Sequence, residues 1–455
     1  MVKSIKKSKN IYMDYASGAS ANPANPGAIH DFGVKAKKQL NEVREEIAKI
    51  LGAHSNEVVF TSGATESNNL ALLGVINKFY ESFFQMHTYL PAGKLLCSAR
   101  QPAQGISKNT RKIIPHIITT NIEHASVLEV CKHLEKTKQI EVTYVPVEEN
   151  GIVDPEKIKK ALKSNTILVS VMYANNEIGT IQPIREIAKE IRHYRKNKVA
   201  KRSDLKNLER SDLGIFPVFH TDATQAINYL SINVEKLGVD LFSFNGSKIY
   251  GPSGVGVLYI KRMTPITNII FGGDQEFGLR PGTENIVGIV GLAKALKTVE
   301  QIKDKEVKRL IKLRDYFIKK MSRLSLDTTH FQKPGLGDFP LNLVSGKVIL
   351  NGDLKNRLPN NINITIPKIP SDLLVIELSA HGIMASVKSA CKSGDEKASH
   401  VIQAIREAQL GELLVNKEID GSIRFSLGRQ TTKADIDYTL KALSQILTKL
   451  KKWYN

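Results

Sequence analysis

An α/β architecture is the fold this sequence predicts: a mostly parallel sheet flanked by helices, with a smaller α+β domain at the carboxyl end. Three observations carry it. Short apolar runs alternate with helical stripes from about residue 57 to residue 260, the order expected of parallel strands joined by crossover helices. The chain has 455 residues, more than one simple core holds, so two domains are expected. Polar residues also stand just past the predicted strand ends, where ligands bind in such sheets.

Taken in order, residues 1–30 are assigned to an amino-terminal arm that packs on the small domain, with Ile11–Tyr15 entering a small-residue turn, Ala16–Ala21. The large domain is assigned to 31–295. Leu40, Val43, Ile47 and Ile50 recur at helical spacing and Gly52 lies just past their end. Glu57–Phe60 reads as a strand, and the turn Thr61–Asn69 leads from it into the apolar run beginning at Leu70. Strand, polar turn, helix is an arrangement that presents free backbone N–H groups to an anion. Ala92–Lys112 has no periodicity and five basic residues, and is read as a surface insertion.

Ile117–Thr119 is the next strand, and Glu123–Ser126 opens a helix. Ile140–Val147 and Ile167–Met172 are strands, the second ending at Tyr173–Gly179. After Pro183, Ile184, Ile187, Ile191 and Tyr194 mark a helix that runs into a second basic insertion, 196–212. Val218–His220, Leu241–Phe244 and Val255–Ile260 are strands, and Phe271–Asn285 is a long polar loop rich in glycine. The small domain is assigned to 296–455. It has a helical stripe at Leu310, Leu313, Phe317, Met321 and Leu324, strands at Asn361–Ile366, Ile383–Val387 and Ser422–Leu427, a helix at Leu373–Leu378, and a closing helix from Lys433. A polar loop, 386–398, contains Cys391.

Composition narrows the function classes. Hydrophobic residues make up 42%, ordinary for a globular protein, and no apolar run is long enough to span a membrane. No apolar stretch follows the basic start Met1–Asn10, so no signal peptide is expected. Three cysteines, Cys97, Cys131 and Cys391, cannot make a disulfide framework and fit a reducing, cytoplasmic setting. The net charge of +20 suits acidic partners, but no nucleic-acid motif accompanies it, so direct nucleic-acid binding is not expected.

The stretch Asp240–Pro252 carries the most specific chemistry. An apolar strand ends at the turn Asn245-Gly246-Ser247, and Lys248 sits on that turn. A lysine at a core strand end is expected to be poorly solvated, which favours the neutral, nucleophilic amine and a Schiff base with a carbonyl cofactor. Thr65, His124, Asn175 and Asp222 fall at equivalent ends of other strands, so all five would converge on one pocket.

The motifs TSGATESNN (61–69), EHASVL (123–128), NNEIG (175–179), HTDATQ (220–225), SKIYGPSGVG (247–256), GLRPGTEN (278–285), SACKSG (389–394) and SIRFSLGR (422–429) stand in this order. Together, from Asp14 to about Leu443, they closely resemble the cysteine desulfurases, class V enzymes of fold type I that depend on pyridoxal 5′-phosphate (PLP). The form SACxSG resembles the iron–sulfur assembly subgroup.

The resemblance implies a role for each residue. Lys248 carries PLP and moves protons at the substrate carbon; Asp222 pairs with the ring nitrogen; His124 stacks on the ring and acts as acid–base. Gln225 and Asn175 bond the ring hydroxyl or the substrate. Thr65, the Ala64 backbone and Ser247 hold the phosphate, and Thr283 reaches the phosphate of the neighbouring subunit of a homodimer. Arg424 binds the substrate carboxylate, and Cys391, with Lys388 and Lys392 lowering its pKa, takes the sulfur of L-cysteine as a persulfide and releases L-alanine. The sulfur then passes to an acceptor such as an iron–sulfur scaffold protein or a tRNA-modifying protein. No metal is implied, and Cys97 and Cys131 match no motif. A selenocysteine lyase or other class V PLP enzyme, and a non-catalytic basic protein on the same fold, are the competing readings.

The chain departs from the family's pattern at several places. The family usually has histidine where Ser247 stands, a small residue where Asn245 stands, and arginine where Phe277 stands. The segment between Asp14 and Asn25 is shorter than usual, and the two basic insertions have no counterpart in most relatives.

Overall fold

A computed structural model describes residues 12–17, 24–88, 114–200, 216–321, 348–387, 399–410 and 421–454. The insertion 92–112, most of the insertion 196–212, and the segment 388–398 with Cys391 lie outside the described residues.

The large sheet is built from β1 (Val58–Thr61), β2 (His116–Thr120), β3 (Glu141–Val145), β4 (Thr166–Ser170), β5 (Val218–Asp222), β6 (Leu241–Asn245) and β7 (Gly256–Ile260). Their order across the sheet is β1-β7-β6-β5-β4-β2-β3. β7 runs antiparallel to both of its neighbours, and the other pairings are parallel. Hence Thr61, Thr120, Ser170, Asp222 and Asn245, each the last residue of its strand, lie along one edge of the sheet.

The helices are α1 (Asp31–Leu51), α2 (Ala64–Thr88), α3 (Ala125–Lys136), α4 (Pro155–Ala161), α5 (Ile184–Ala200), α6 (Val234–Leu237) and α7 (Ile286–Met321). Successive strand residues face opposite sides, and the sheet is covered on both. Ile118, Val169, Phe219, Phe242 and Val257 join one core with Ile47 of α1, Ile187 of α5 and Leu292 of α7. Ile117, Leu168, Val218, Leu241 and Leu258 join another with Leu70 and Val75 of α2 and Val127 of α3. Apolar residues at both parities explain why these strands read as continuous apolar runs rather than alternating ones.

The carboxyl-terminal part adds β8 (Ile349–Leu350), β9 (Asn361–Thr365), α8 (Ser371–Ala380), α9 (His400–Leu410), β10 (Ser422–Ser426) and α10 (Lys433–Tyr454). β9 is the centre of an antiparallel sheet, between β10 and β8. Ile362, Ile364, Ile423 and Phe425 pack there with Leu374 and Leu378 of α8 and Leu443 and Ile446 of α10. The helix α7 belongs to both parts. At 1.5 Å per residue its 36 residues span about 54 Å. Leu292, Leu296 and Val299 enter the large core, and Leu310, Phe317 and Met321 enter the small one.

Three features differ from the sequence reading. α5 continues to Ala200, so the second insertion does not begin at 196: Arg195, whose guanidinium donates to the Pro217 carbonyl and Asp240, ties this helix to the sheet. The strand expected at Ile383–Val387 is a single bridge, Ser386 opposite Arg424. And α9 buries Val401, Ile402 and Ile405 in the large core, although it follows the small domain's first strands in sequence. The described residues of the amino-terminal arm fold back on the start of α1: His30 Nε2 lies 3.2 Å from Asp14 Oδ2, and the Tyr12 ring stands edge-on to His30 and Phe32. Among the described residues no helix is long and apolar enough to cross a membrane.

Candidate active site

The floor of the site lies at the carboxyl ends of β4, β5 and β6. His220 of β5 is fully buried between two hydroxyls, Nδ1 at 2.8 Å from Ser170 Oγ and Nε2 at 2.9 Å from Ser243 Oγ. Burial pushes its pKa down to about 4, so it is neutral at physiological pH and ties three strands together without placing a charge under the site.

Two residues on, Asp222 ends β5 at 5% exposure. Oδ1 accepts from the Thr224 backbone N–H at 2.9 Å, and Oδ2 accepts from Asn68 Nδ2 at 2.7 Å. Each oxygen keeps a lone pair for a further donor. The nearby Glu123 carboxyl is fully buried: Oε1 accepts from the Thr120 hydroxyl and the Met172 N–H, while Oε2 has no hydrogen-bond partner. Burial raises its pKa to about 8, with the Asp222 charge adding to the shift. It therefore holds a proton at neutral pH and adds no second negative charge there.

His124 caps α3. Its Nδ1 accepts from the Ser126 backbone N–H at 3.2 Å and lies 2.8 Å from the Ser126 hydroxyl. A ring nitrogen here does what a serine or aspartate oxygen usually does at a helix start. Half-buried, the ring keeps Nε2 outside these contacts.

The start of α2 forms an anion cradle. Helix geometry leaves the N–H groups of Ala64 and Thr65 without an intrahelical acceptor. The turn is fixed beneath by Thr61 Oγ1, 2.8 Å from Ser67 Oγ, and by Glu66, whose carboxylate accepts from the Ser62 N–H and pairs with Arg280 at 2.9 Å. Only glycine serves at 256, since a Cβ there would sit 2.6 Å from Gly63 Cα. Thr65, Ser247 and Thr283 are exposed and Gln225 is half-buried.

Lys248 lies in a 3-10 turn, Gly246–Ile249, directly after β6. Its side chain is exposed in this chain, so the expected desolvation by the core strand is not present: the turn carries the lysine outward from the sheet edge. The turn itself is held by its backbone, Gly246 N–H to Val255 O at 3.0 Å and Gly251 N–H to Gly246 O at 2.9 Å.

Asn175 also differs from expectation. It is wholly buried and engaged within the protein: Oδ1 accepts from the N–H groups of Glu177 and Ile178, and Nδ2 donates to the Ile122 carbonyl and the Met172 sulfur. It builds the turn that presents Asn176, whose carbonyl accepts from Arg424 Nη1 at 2.9 Å. Nε of Arg424 is buried without a partner, and burial lowers the pKa of this guanidinium. The Glu177 carboxylate offsets part of that lowering, and the planar guanidinium fork suits a further carboxylate.

Both flanks of the Cys391 segment rest here. On one side, Ser386 pairs with Arg424 through two backbone hydrogen bonds. On the other, Ser399 Oγ donates to Glu177 Oε2, and His400 Nε2 lies 3.0 Å from the Glu123 carbonyl, the residue before His124. Of the other cysteines, Cys131 is buried and its thiol is pushed up to about 12, which makes it inert, and Cys97 lies outside the described residues.

The loop bearing Thr283 is anchored by Glu276, whose carboxylate pairs bidentately with Arg44 at 2.6 and 2.7 Å and accepts from the Phe60 N–H. The ring of Phe277, which stands where the family usually has arginine, lies with its centroid 5.1 Å from the Arg44 guanidinium carbon.

These residues fit PLP. A buried carboxylate with spare lone pairs suits a protonated ring nitrogen, the open helix start suits a phosphate, and the Thr224 hydroxyl and Asn245 amide oxygen are buried without partners at the same edge. The sequence reading gives no role to Asn68, Ser126, Glu123 or Glu177, although all four lie inside the recognised motifs. Ser247→His should tighten PLP binding to the apo-protein by about 1 kcal/mol, one added hydrogen bond, roughly fivefold in a cofactor titration. Unchanged affinity would mean that the cradle is already complete.

The sequence profile of the aminotransferase class-V family matches residues 5–82, 103–200 and 213–338. A curated cysteine desulfurase IscS of Dictyoglomus turgidum is 39% identical, over 97% of this chain and 96% of that protein. One from Clostridium botulinum strain Hall is 36% identical, over 96% and 94%. Among solved structures, a NifS-like protein superposes with a TM-score of 0.70 at 32% identity, covering 94% of this chain and 92% of that one. DndA from Streptomyces lividans does so with a TM-score of 0.61 at 27% identity, covering 90% and 93%.

Proposed function

This chain belongs to the class-V aminotransferase family, and from that premise we propose that it is a PLP-dependent cysteine desulfurase that takes sulfur from L-cysteine onto Cys391 and releases L-alanine. The observation that carries this reading is the convergence at one sheet edge of Asp222, His124, the α2 cradle and the Lys248 turn, with both flanks of the Cys391 segment resting beside them. The curated relatives, matched over nearly their whole length, bear that activity in their names.

PLP, when bound, supplies an electron sink for the bonds at the substrate α-carbon. The protein supplies the rest. Asp222 would hold the proton on the ring nitrogen, and Lys248 Nζ would tether the cofactor and move a proton at the substrate α-carbon. Arg424 orients the substrate carboxylate through its unpartnered Nε edge. The Cys391 thiolate attacks the substrate sulfur: a sulfur–sulfur bond forms, the carbon–sulfur bond breaks, and its electron pair stays with carbon, which takes up a proton to become the methyl group of alanine. The persulfide is then passed to a sulfur acceptor, with iron–sulfur cluster assembly as the destination and tRNA thiolation as a second outlet.

A homodimer accounts for the exposed apolar residues Ile270, Phe271 and Phe277 on the loop that also bears Thr283, the residue assigned to the partner's phosphate. The protein is read as cytoplasmic.

The test is to supply PLP and L-cysteine to the purified protein and to measure alanine and, with a small thiol present, sulfide. Equal yields of both are expected. Alanine from selenocysteine but none from cysteine would make the protein a selenocysteine lyase, and no product from either would leave a non-catalytic binding protein.

A further inference from the structure

We infer that Asn68 is a positioning residue that joins Asp222 to His124 through the Ser126 hydroxyl and holds the His124 ring as its Nε2–H tautomer. The inference rests on the reading of Asp222 and His124 as cofactor residues and goes beyond it, because it fixes which nitrogen of His124 carries the proton.

Asn68 sits in the first turn and a half of α2 and is fully buried. One Nδ2 hydrogen goes to Asp222 Oδ2 at 2.7 Å and the other to Ser126 Oγ at 2.8 Å, while Oδ1 has no partner. The amide cannot be turned round, since its oxygen would then face the Asp222 carboxylate. Ser126 Oγ therefore accepts from Asn68 and has its own hydrogen free for His124 Nδ1, 2.8 Å away. The Ser126 backbone N–H, which can only donate, points at the same nitrogen at 3.2 Å. Nδ1 thus faces two donors and is unprotonated, and the neutral ring carries its hydrogen on Nε2.

The neighbouring Asn69 adds to the clasp, donating from Nδ2 to the Thr65 carbonyl at 2.8 Å and the Ser126 carbonyl at 3.4 Å. Donor direction therefore runs one way, from Asn68 to Ser126 to His124. His124 can give a proton or a hydrogen bond at Nε2. A proton placed on Nδ1 would displace both donors and remove the cap of α3. Asp222, the other end of the chain of bonds, is held in the same stroke with its second oxygen on Thr224.

The experiment uses ring-15N-histidine-labelled protein without cofactor, the His124 signals being assigned by their loss in His124→Gln. The wild type is expected to show Nδ1 unprotonated and Nε2 protonated. Ser126→Ala and Asn68→Ala should each shift the tautomer ratio roughly fivefold toward Nδ1–H, the effect of one lost hydrogen bond, and Ser126→Thr should restore it. PLP titration separates the two ends. Asn68→Ala should bind PLP roughly tenfold more weakly, because Asp222 loses a donor, whereas Ser126→Ala should bind as the wild type does. A wild-type ring protonated on Nδ1, or a tautomer ratio unchanged in the variants, overturns the inference. If Asn68→Ala does not fold, the comparison of Ser126→Ala with Ser126→Thr decides it by the same spectra. Asp222→Ala is the control on the underlying reading: undiminished PLP affinity there removes Asp222 from the cofactor site and leaves the tautomer result to stand or fall by itself.

Discussion

Cys391→Ser should retain PLP and still bind L-cysteine, but lose alanine release from L-cysteine by about a thousandfold or more, the scale on which removing a covalent nucleophile acts. Neither binding step needs a thiol. Arg424, whose Nε is buried without a partner, is the group proposed for the substrate carboxylate, and Asp222, bonded to Asn68, is the group proposed for the ring nitrogen. Breaking the carbon–sulfur bond does need one, because the departing sulfur must be accepted by a thiolate, and a serine hydroxyl is not ionised near neutral pH. Cys131 cannot substitute, being buried with its thiol pushed up to about 12. Selenium leaves carbon more readily than sulfur, so alanine from selenocysteine surviving in this variant is compatible with the account. Undiminished alanine from cysteine is not.

Lys248→Ala should abolish the yellow absorbance of the lysine-linked cofactor and its reduction by borohydride, with a loss of turnover of the same order. The fold should be unaffected. The side chain is exposed, and the turn that bears it is held by backbone bonds from Gly246 and Gly251 and by Asn228, whose amide donates to the Lys248 carbonyl. The change in stability should be within about 0.5 kcal/mol, as for an exposed site, measured by denaturant unfolding. A borohydride-reducible link that persists in the variant would move the cofactor to another lysine.

The fold was legible wherever burial imposed a pattern. The strands of the large sheet are apolar on both faces, so they stood out in the sequence within a residue or two of β1, β2, β4, β5, β6 and β7. What periodicity does not carry is direction. Nothing in Gly256–Ile260 distinguishes the one antiparallel strand from its parallel neighbours, since that is decided by the short return from the Lys248 turn. Nor does it say against which core a helix lies: α9 has the same apolar spacing as the helices of the small domain, yet buries Val401 and Ile405 in the large one.

For the site, the motif residues fall along one edge of the sheet, and two of their environments differ from the sequence reading. Lys248 follows a core strand, which predicts desolvation, but it lies in a 3-10 turn with its side chain exposed. Asn175, expected to bond the cofactor or the substrate, is fully buried with its amide bonded to the surrounding chain, where it shapes the turn before Ile178. The link from Asp222 to Asn68 joins residues 154 apart in sequence, and no local pattern marks such a contact.

The most direct measurement is the mass of the peptide containing Cys391 after the PLP-loaded protein has been given L-cysteine without an acceptor. The account predicts that this peptide gains one sulfur atom, that a reducing thiol removes it, and that one alanine appears for each sulfur gained. Alanine accumulating while Cys391 keeps its original mass would contradict it.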